Sequence, residues 1–90
     1  MTQISANAFS GSKKLKSVVI GKNVTTIGKK AFYNCKKLKT VKIRSLKLKK
    51  VGSKAFKGIK KNAKITVPSK NKTKYTKLLQ KQIDSTTKIN

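Results

Sequence analysis

One short phrase stands three times in this chain. Ile4-Ser5-Ala6-Asn7-Ala8-Phe9, Ile27-Gly28-Lys29-Lys30-Ala31-Phe32 and Val51-Gly52-Ser53-Lys54-Ala55-Phe56 align without a gap, with Phe-to-Phe steps of 23 and 24 residues. Six residues after the first two Phe come Leu15 and Leu38; the third unit has Asn62 there and Ala63 one place on. An alternating pair follows in each unit: Val18 and Ile20, Val41 and Ile43, Ile65 and Val67. Val24 and Leu48 complete the first two units. A period of this length dictates architecture more strongly than local propensity does. A unit this small cannot bury its own apolar side, so units must stack on one another. A chain of that kind presents a surface and does not enclose a pocket.

The spacing predicts a β-rich repeat solenoid (α+β) of about three stacked units, 1–26, 27–50 and 51–70, each with one short strand. Alternation turns Val19, Lys42 and Thr66 outward and their neighbours inward. Ala-Phe sits on a turn opposite the strand, with Phe driven into the stack. Gly28 and Gly52 mark a tight bend or a positive φ, although Ser5 holds that place in the first unit. Pro68 ends the third strand, because it has no N–H for a ladder. The pattern then changes. Tyr75, Leu78, Leu79 and Ile83 fall on one helical face, predicting an amphipathic helix over 72–82 with Asn71 or Ser69 as N-cap. Thr86 to Ile89 reads as a last short strand. Residues 71–90 are thus expected to form a C-terminal cap on the repeats.

The pattern I-G-x-x-A-F-x-x-C-x-x-L-x-x-V-x-I, complete at Ile27 to Ile43, resembles the BspA-like leucine-rich repeats. Those repeats occur in secreted and surface proteins of bacteria and of some parasitic protists. The resemblance covers residues 4 to about 67. The chain departs from the pattern at Asn62, and it lacks the Asn ladder of the common leucine-rich repeat. The resemblance implies a strand ladder along one face, and roles in adhesion or in binding a host or cell-surface protein. It implies a secreted or cell-surface location. Met1 precedes an incomplete unit, so the chain is read as the C-terminal part of a longer array whose export signal lies upstream.

Catalysis is argued against by composition. There is no His or Glu, one Asp (Asp84) and one Cys (Cys35). General acid–base work needs a titratable group near neutral pH, and a thiol nucleophile needs a base beside it. Three or four metal ligands cannot be assembled from this inventory, and no cofactor is expected. A single cysteine excludes an internal disulfide framework. Cys35, three residues after Phe32, takes the place of Ser12 and Ile59 and is expected to be a small core filler. No apolar run approaches the roughly 20 residues of a membrane-spanning helix.

What the composition favours is anion binding. Lys and Arg number 25 against one acid, for a net charge of +24. Lys13-Lys14, Lys36-Lys37 and Lys60-Lys61 stand four and five residues after each Phe. Beside the strands run Lys39, Lys42, Arg44 and Lys64, and these ten residues form the candidate binding surface. Stacking at the usual strand spacing of about 4.8 Å makes neighbouring charges repel by about 0.9 kcal/mol in water. An acidic polymer, whether sulfated glycan, teichoic acid or nucleic acid, relieves that repulsion. The opposing reading is that Lys only solvates exposed turns. Specific base reading is not expected, because Arg is nearly absent and the Phe rings belong to the core. The readings are therefore protein binding and adhesion, polyanion binding, or a structural spacer.

Overall fold

The computed structural model describes residues 2 to 90. In chain order its elements are β1 (Gln3–Ile4), β2 (Ser17–Ile20), β3 (Thr26–Ile27), β4 (Thr40–Ile43), β5 (Lys50–Val51), β6 (Lys64–Thr66), a 3-10 turn (Ser69–Asn71), α1 (Lys72–Leu79) and β7 (Lys88–Ile89). The strands build two parallel sheets, one in the order β1-β3-β5 and one in the order β2-β4-β6-β7. The repeat sets the register of both. Ile4 pairs Ile27 and Ile27 pairs Val51 in the first; Val18, Val41, Ile65 and Ile89 pair successively in the second.

The first sheet corrects the expectation of one strand per unit. The Ile-Gly segment, read from sequence as a bend, carries a second strand of two residues. A strand that short shows no alternation, so its period is invisible. The glycines also have a different role from the expected one. Neither Gly28 nor Gly52 is left-handed; each lies against the backbone of the preceding unit. A Cβ on Gly28 would collide with the amide of Ala6, and one on Gly52 with the amide of Lys29. The left-handed residues are Asn7, Lys30 and Lys54, and Gly11, Asn34 and Gly58, two per unit at the repeat spacing, with Asn62 as a third in the last unit.

The core follows the pattern. Ile20, Ile27, Leu38, Val41, Leu48 and Ile65 are buried, while Val19, Lys42 and Thr66 point outward as alternation requires. The Phe rings stack: Phe9 on Phe32 at 5.3 Å between centroids and Phe32 on Phe56 at 5.1 Å, with planes within 8°. Phe32 and Phe56 are fully buried; Phe9, at the end of the column, is 43% exposed and so is not driven inside as expected. In the third unit Asn62 turns outward with φ +62° and Ala63 fills the buried place instead.

The tail does more than cover the last unit. α1 ends at Leu79, and Ile83 leaves the helix to form a parallel bridge with Phe56. Asn71 sits at the helix start but makes no side-chain capping bond. Tyr75 and Leu79 are buried against the repeats. The Tyr75 hydroxyl reaches the β4–β5 loop, donating to the Ser45 carbonyl at 2.7 Å and accepting from the Leu48 N–H at 3.1 Å.

Candidate functional site

The turns opposite the long strands are tied by a regular set of backbone bonds. Asn7, Phe9 and Gly11 donate to the carbonyls of Lys29, Ala31 and Tyr33. Lys30, Phe32 and Asn34 donate in the same way to Ser53, Ala55 and Lys57. Buried amides need partners, and the third unit has no fourth turn of the same kind to supply them. The tail does so. Lys54 donates to Gln82 Oε1 at 2.9 Å, Phe56 to the Gln82 carbonyl at 3.0 Å and Gly58 to Asp84 Oδ2 at 2.9 Å. The one carboxylate of the chain thus stands where a backbone carbonyl stands in the other units. Sequence reading missed these roles; the signal was the lone acid in a chain of +24.

With the turns fixed, the backbone positions of the lysines beside them are fixed too. All ten candidate residues are exposed. They do not form one ladder. On the outward face of the longer sheet, Lys42 lies between Val19 and Thr66, and Lys64 between Thr40 and Lys88. Lys42 is thus flanked by uncharged residues, whereas Lys64 and Lys88 stand side by side. Along the turns the charges converge. Lys13, Lys36 and Lys37 line a depression of about 390 Å³ with Gly11 and Asn34. Lys37 also lines a second one of about 350 Å³ with Lys16, Lys39 and Lys60. Arg44 faces a third of about 360 Å³ with Lys22, Asn23, Leu46 and Lys47. Lys14, Lys61, Lys42 and Lys64 line none of the three.

Two exposed apolar side chains interrupt the charge. Val19 is 59% exposed and pairs with Lys42; Leu46, 56% exposed, rises from the β4–β5 loop into the third depression. Ser45 beneath it is fully buried, donating to the Val24 carbonyl at 2.6 Å and accepting from the Lys47 N–H at 3.0 Å. Tyr75 bonds the same loop, so Leu46 is presented from a tethered segment.

Cys35 is fully buried, and its thiol donates to the Phe9 carbonyl at 3.0 Å. Burial pushes the thiol above its ordinary range, partly opposed by a bond to the Ser12 backbone. A protonated, enclosed thiol is a poor nucleophile. Among the described residues no group of three or more His, Cys, Asp or Glu is placed to hold a metal ion. No helix among them is long and apolar enough to cross a membrane.

Comparison with known families gives one match. The model described as BspA type leucine rich repeat region (6 copies) matches residues 1–90. No curated protein and no solved structure matches.

Proposed function

The chain belongs to the BspA-type leucine-rich repeat family, and we propose that it is a non-catalytic adhesion module that binds another protein through the outward face of its longer sheet. The family match over residues 1–90 carries this reading, since repeats of this class are generally protein-interaction modules and commonly belong to surface or secreted proteins. In this reading the chain is a solenoid of about three full units, 1–26, 27–50 and 51–70, closed by 71–90. Its place is the cell surface or outside the cell, and its partner is a host or cell-surface protein.

The physical support is preorganisation. Lys42 stands on β4, which is paired on both sides, Val19 on the edge strand β2, and Leu46 on a loop held by Tyr75, so binding orders little backbone that is not ordered in the free protein. Val19 and Leu46 supply apolar contact, with Lys42, Arg44 and Lys47 around them as a polar rim. Interfaces of specific complexes have that arrangement of apolar centre and polar border.

Adhesion of protein-coated beads to cell surfaces tests the reading. Binding that saturates and is abolished when the surface is first stripped of protein by protease supports it. Binding that survives protease, or never saturates, contradicts it; the absence of any saturable ligand is what a pure spacer predicts.

A further inference from the structure

We propose that the turn side of the repeats carries a second, separate site: a two-part cradle for a sulfated polysaccharide, made by the two depressions that share Lys37. The cradle uses none of the strand-face residues Val19, Lys42, Arg44 or Leu46, so it stands or falls independently of the protein-binding reading.

The case begins with unpaired charge. One side-chain carboxylate serves 25 basic residues, and its Oδ2 is taken by the Gly58 amide. Neutralisation of this rim must therefore come from outside the chain. Lys16, Lys37, Lys39 and Lys60 come from three successive units, yet line one hollow. Their spacing is set by the stack, whose step is seen in the 5.1 and 5.3 Å between Phe rings. Like charges held that closely by a rigid scaffold gain most from a ligand that is itself a chain of charges.

The shape of the pair points to a linear ligand. The two hollows adjoin, with Lys37 as the common wall. A single small anion reaches only one of them; a polymer with repeated anionic groups reaches both, and the second contact becomes intramolecular. The two are also chemically unlike. The second is lined by lysines alone, whereas the first has Asn34 and the bare Gly11 beside its lysines. Nothing lies within 4 Å of where a Gly11 Cβ would stand, so that floor is open. An open floor beside an amide suits a hydroxylated sugar ring, with the ammonium groups taking its sulfates.

The residue types select against other anions. Lysine is a point charge without the planar fork that grips carboxylates in two bonds, so an acidic protein segment gains little here. Nucleic acid finds a single exposed ring, Phe9 at the end of the stack, which lines neither hollow. Phe32, Phe56 and Tyr75 are buried, and the ring of Tyr33 is covered by the Lys30 ammonium, 5.2 Å from its centroid. Single-stranded nucleic acid is held chiefly by bases stacked on free aromatic rings.

The test is equilibrium binding of a fluorescent heparin octasaccharide to the whole chain at about 50 and 200 mM salt, where non-specific phosphate-type contacts weaken by powers of ten. The Lys36→Gln/Lys37→Gln variant is compared with Lys74→Gln/Lys77→Gln, which removes the same charge from α1. The expected result is a loss of affinity of about tenfold or more in the first variant and less than about twofold in the second, persisting at the higher salt. Equal losses in the two variants would reduce the cradle to net charge and overturn it. Displacement of the octasaccharide by polyphosphate or duplex DNA at lower charge concentration would overturn the assignment of the partner.

Discussion

Tyr75 and Ser45 join the tail to the second unit, 30 residues back: the tyrosine hydroxyl donates to the serine carbonyl at 2.7 Å with both residues fully buried. The same hydroxyl takes the Leu48 N–H, so one oxygen closes two backbone groups of the β4–β5 loop. That loop presents Leu46 to solvent. Helix α1 is therefore a support for the strand-face surface as well as a cover for the core.

Tyr75→Phe keeps the ring and deletes this oxygen. Each buried backbone group left without a partner costs about 1–3 kcal/mol. The expected outcome is a clear fall in the denaturant midpoint, with faster hydrogen exchange at Leu48. A midpoint equal to the parent's would mean that the loop is not held from the helix.

Asp84 takes the place of a backbone carbonyl for Gly58. Asp84→Ala removes a hydrogen bond to a charged acceptor and is expected to cost about 1.5–3 kcal/mol, whereas Asp84→Asn keeps an oxygen there and costs less. Equilibrium unfolding of the two variants measures the difference. If alanine and asparagine behave alike, the oxygen is not what closes the third turn.

Much of this was legible in advance, for a physical reason. Residues that repeat every 23 or 24 positions must meet their equivalents once units stack, so the pairing of Val18, Val41 and Ile65 and the column of Phe rings follow from spacing alone. What spacing does not show is contact between unlike parts. Gln82 and Asp84 have no counterparts in the other units, and only the folded chain brings them under Lys54, Phe56 and Gly58. The two-residue strands were too short to show a period. On the candidate surface, the paired lysines after each Phe were legible as a repeated feature of the turns. The hollow they share with Lys16 and Lys39 depends on how the turns fold back toward the strands.

Lys30 and Lys54 hold left-handed backbone at φ +56° and +58°, where Asn7 stands in the first unit. A side chain with a Cβ pays about 1–2 kcal/mol there, and asparagine much less. Lys54→Asn is expected to raise stability by up to about 1 kcal/mol, since it also removes one charge from a self-repelling chain. Thermal unfolding at low salt reads the gain; a lowered midpoint would contradict it. Lys54 is the cleaner choice, because Lys30 also covers the Tyr33 ring.

Burial raises the Cys35 thiol, so the folded chain keeps its proton at a pH where the unfolded chain, with an ordinary value of 9.0, has lost it. The unfolded state then binds fewer protons, and stability falls as pH rises. The stability advantage of the parent over Cys35→Ala is expected to shrink above about pH 9 and to be constant below it. Unfolding curves of both proteins on either side of that value check this. A difference independent of pH would place the thiol in contact with water.

We propose that the strand face, not the overall charge, recognises a protein. The most direct test is binding of the parent and of the charge-neutral variant Val19→Thr/Leu46→Gln to an immobilised extracellular-matrix protein preparation, at about 50 and 200 mM salt, a range over which purely ionic attachment collapses. Saturable binding that changes little with salt and is lost in the variant is the expected result. Binding that vanishes at the higher salt and is the same in parent and variant would contradict it.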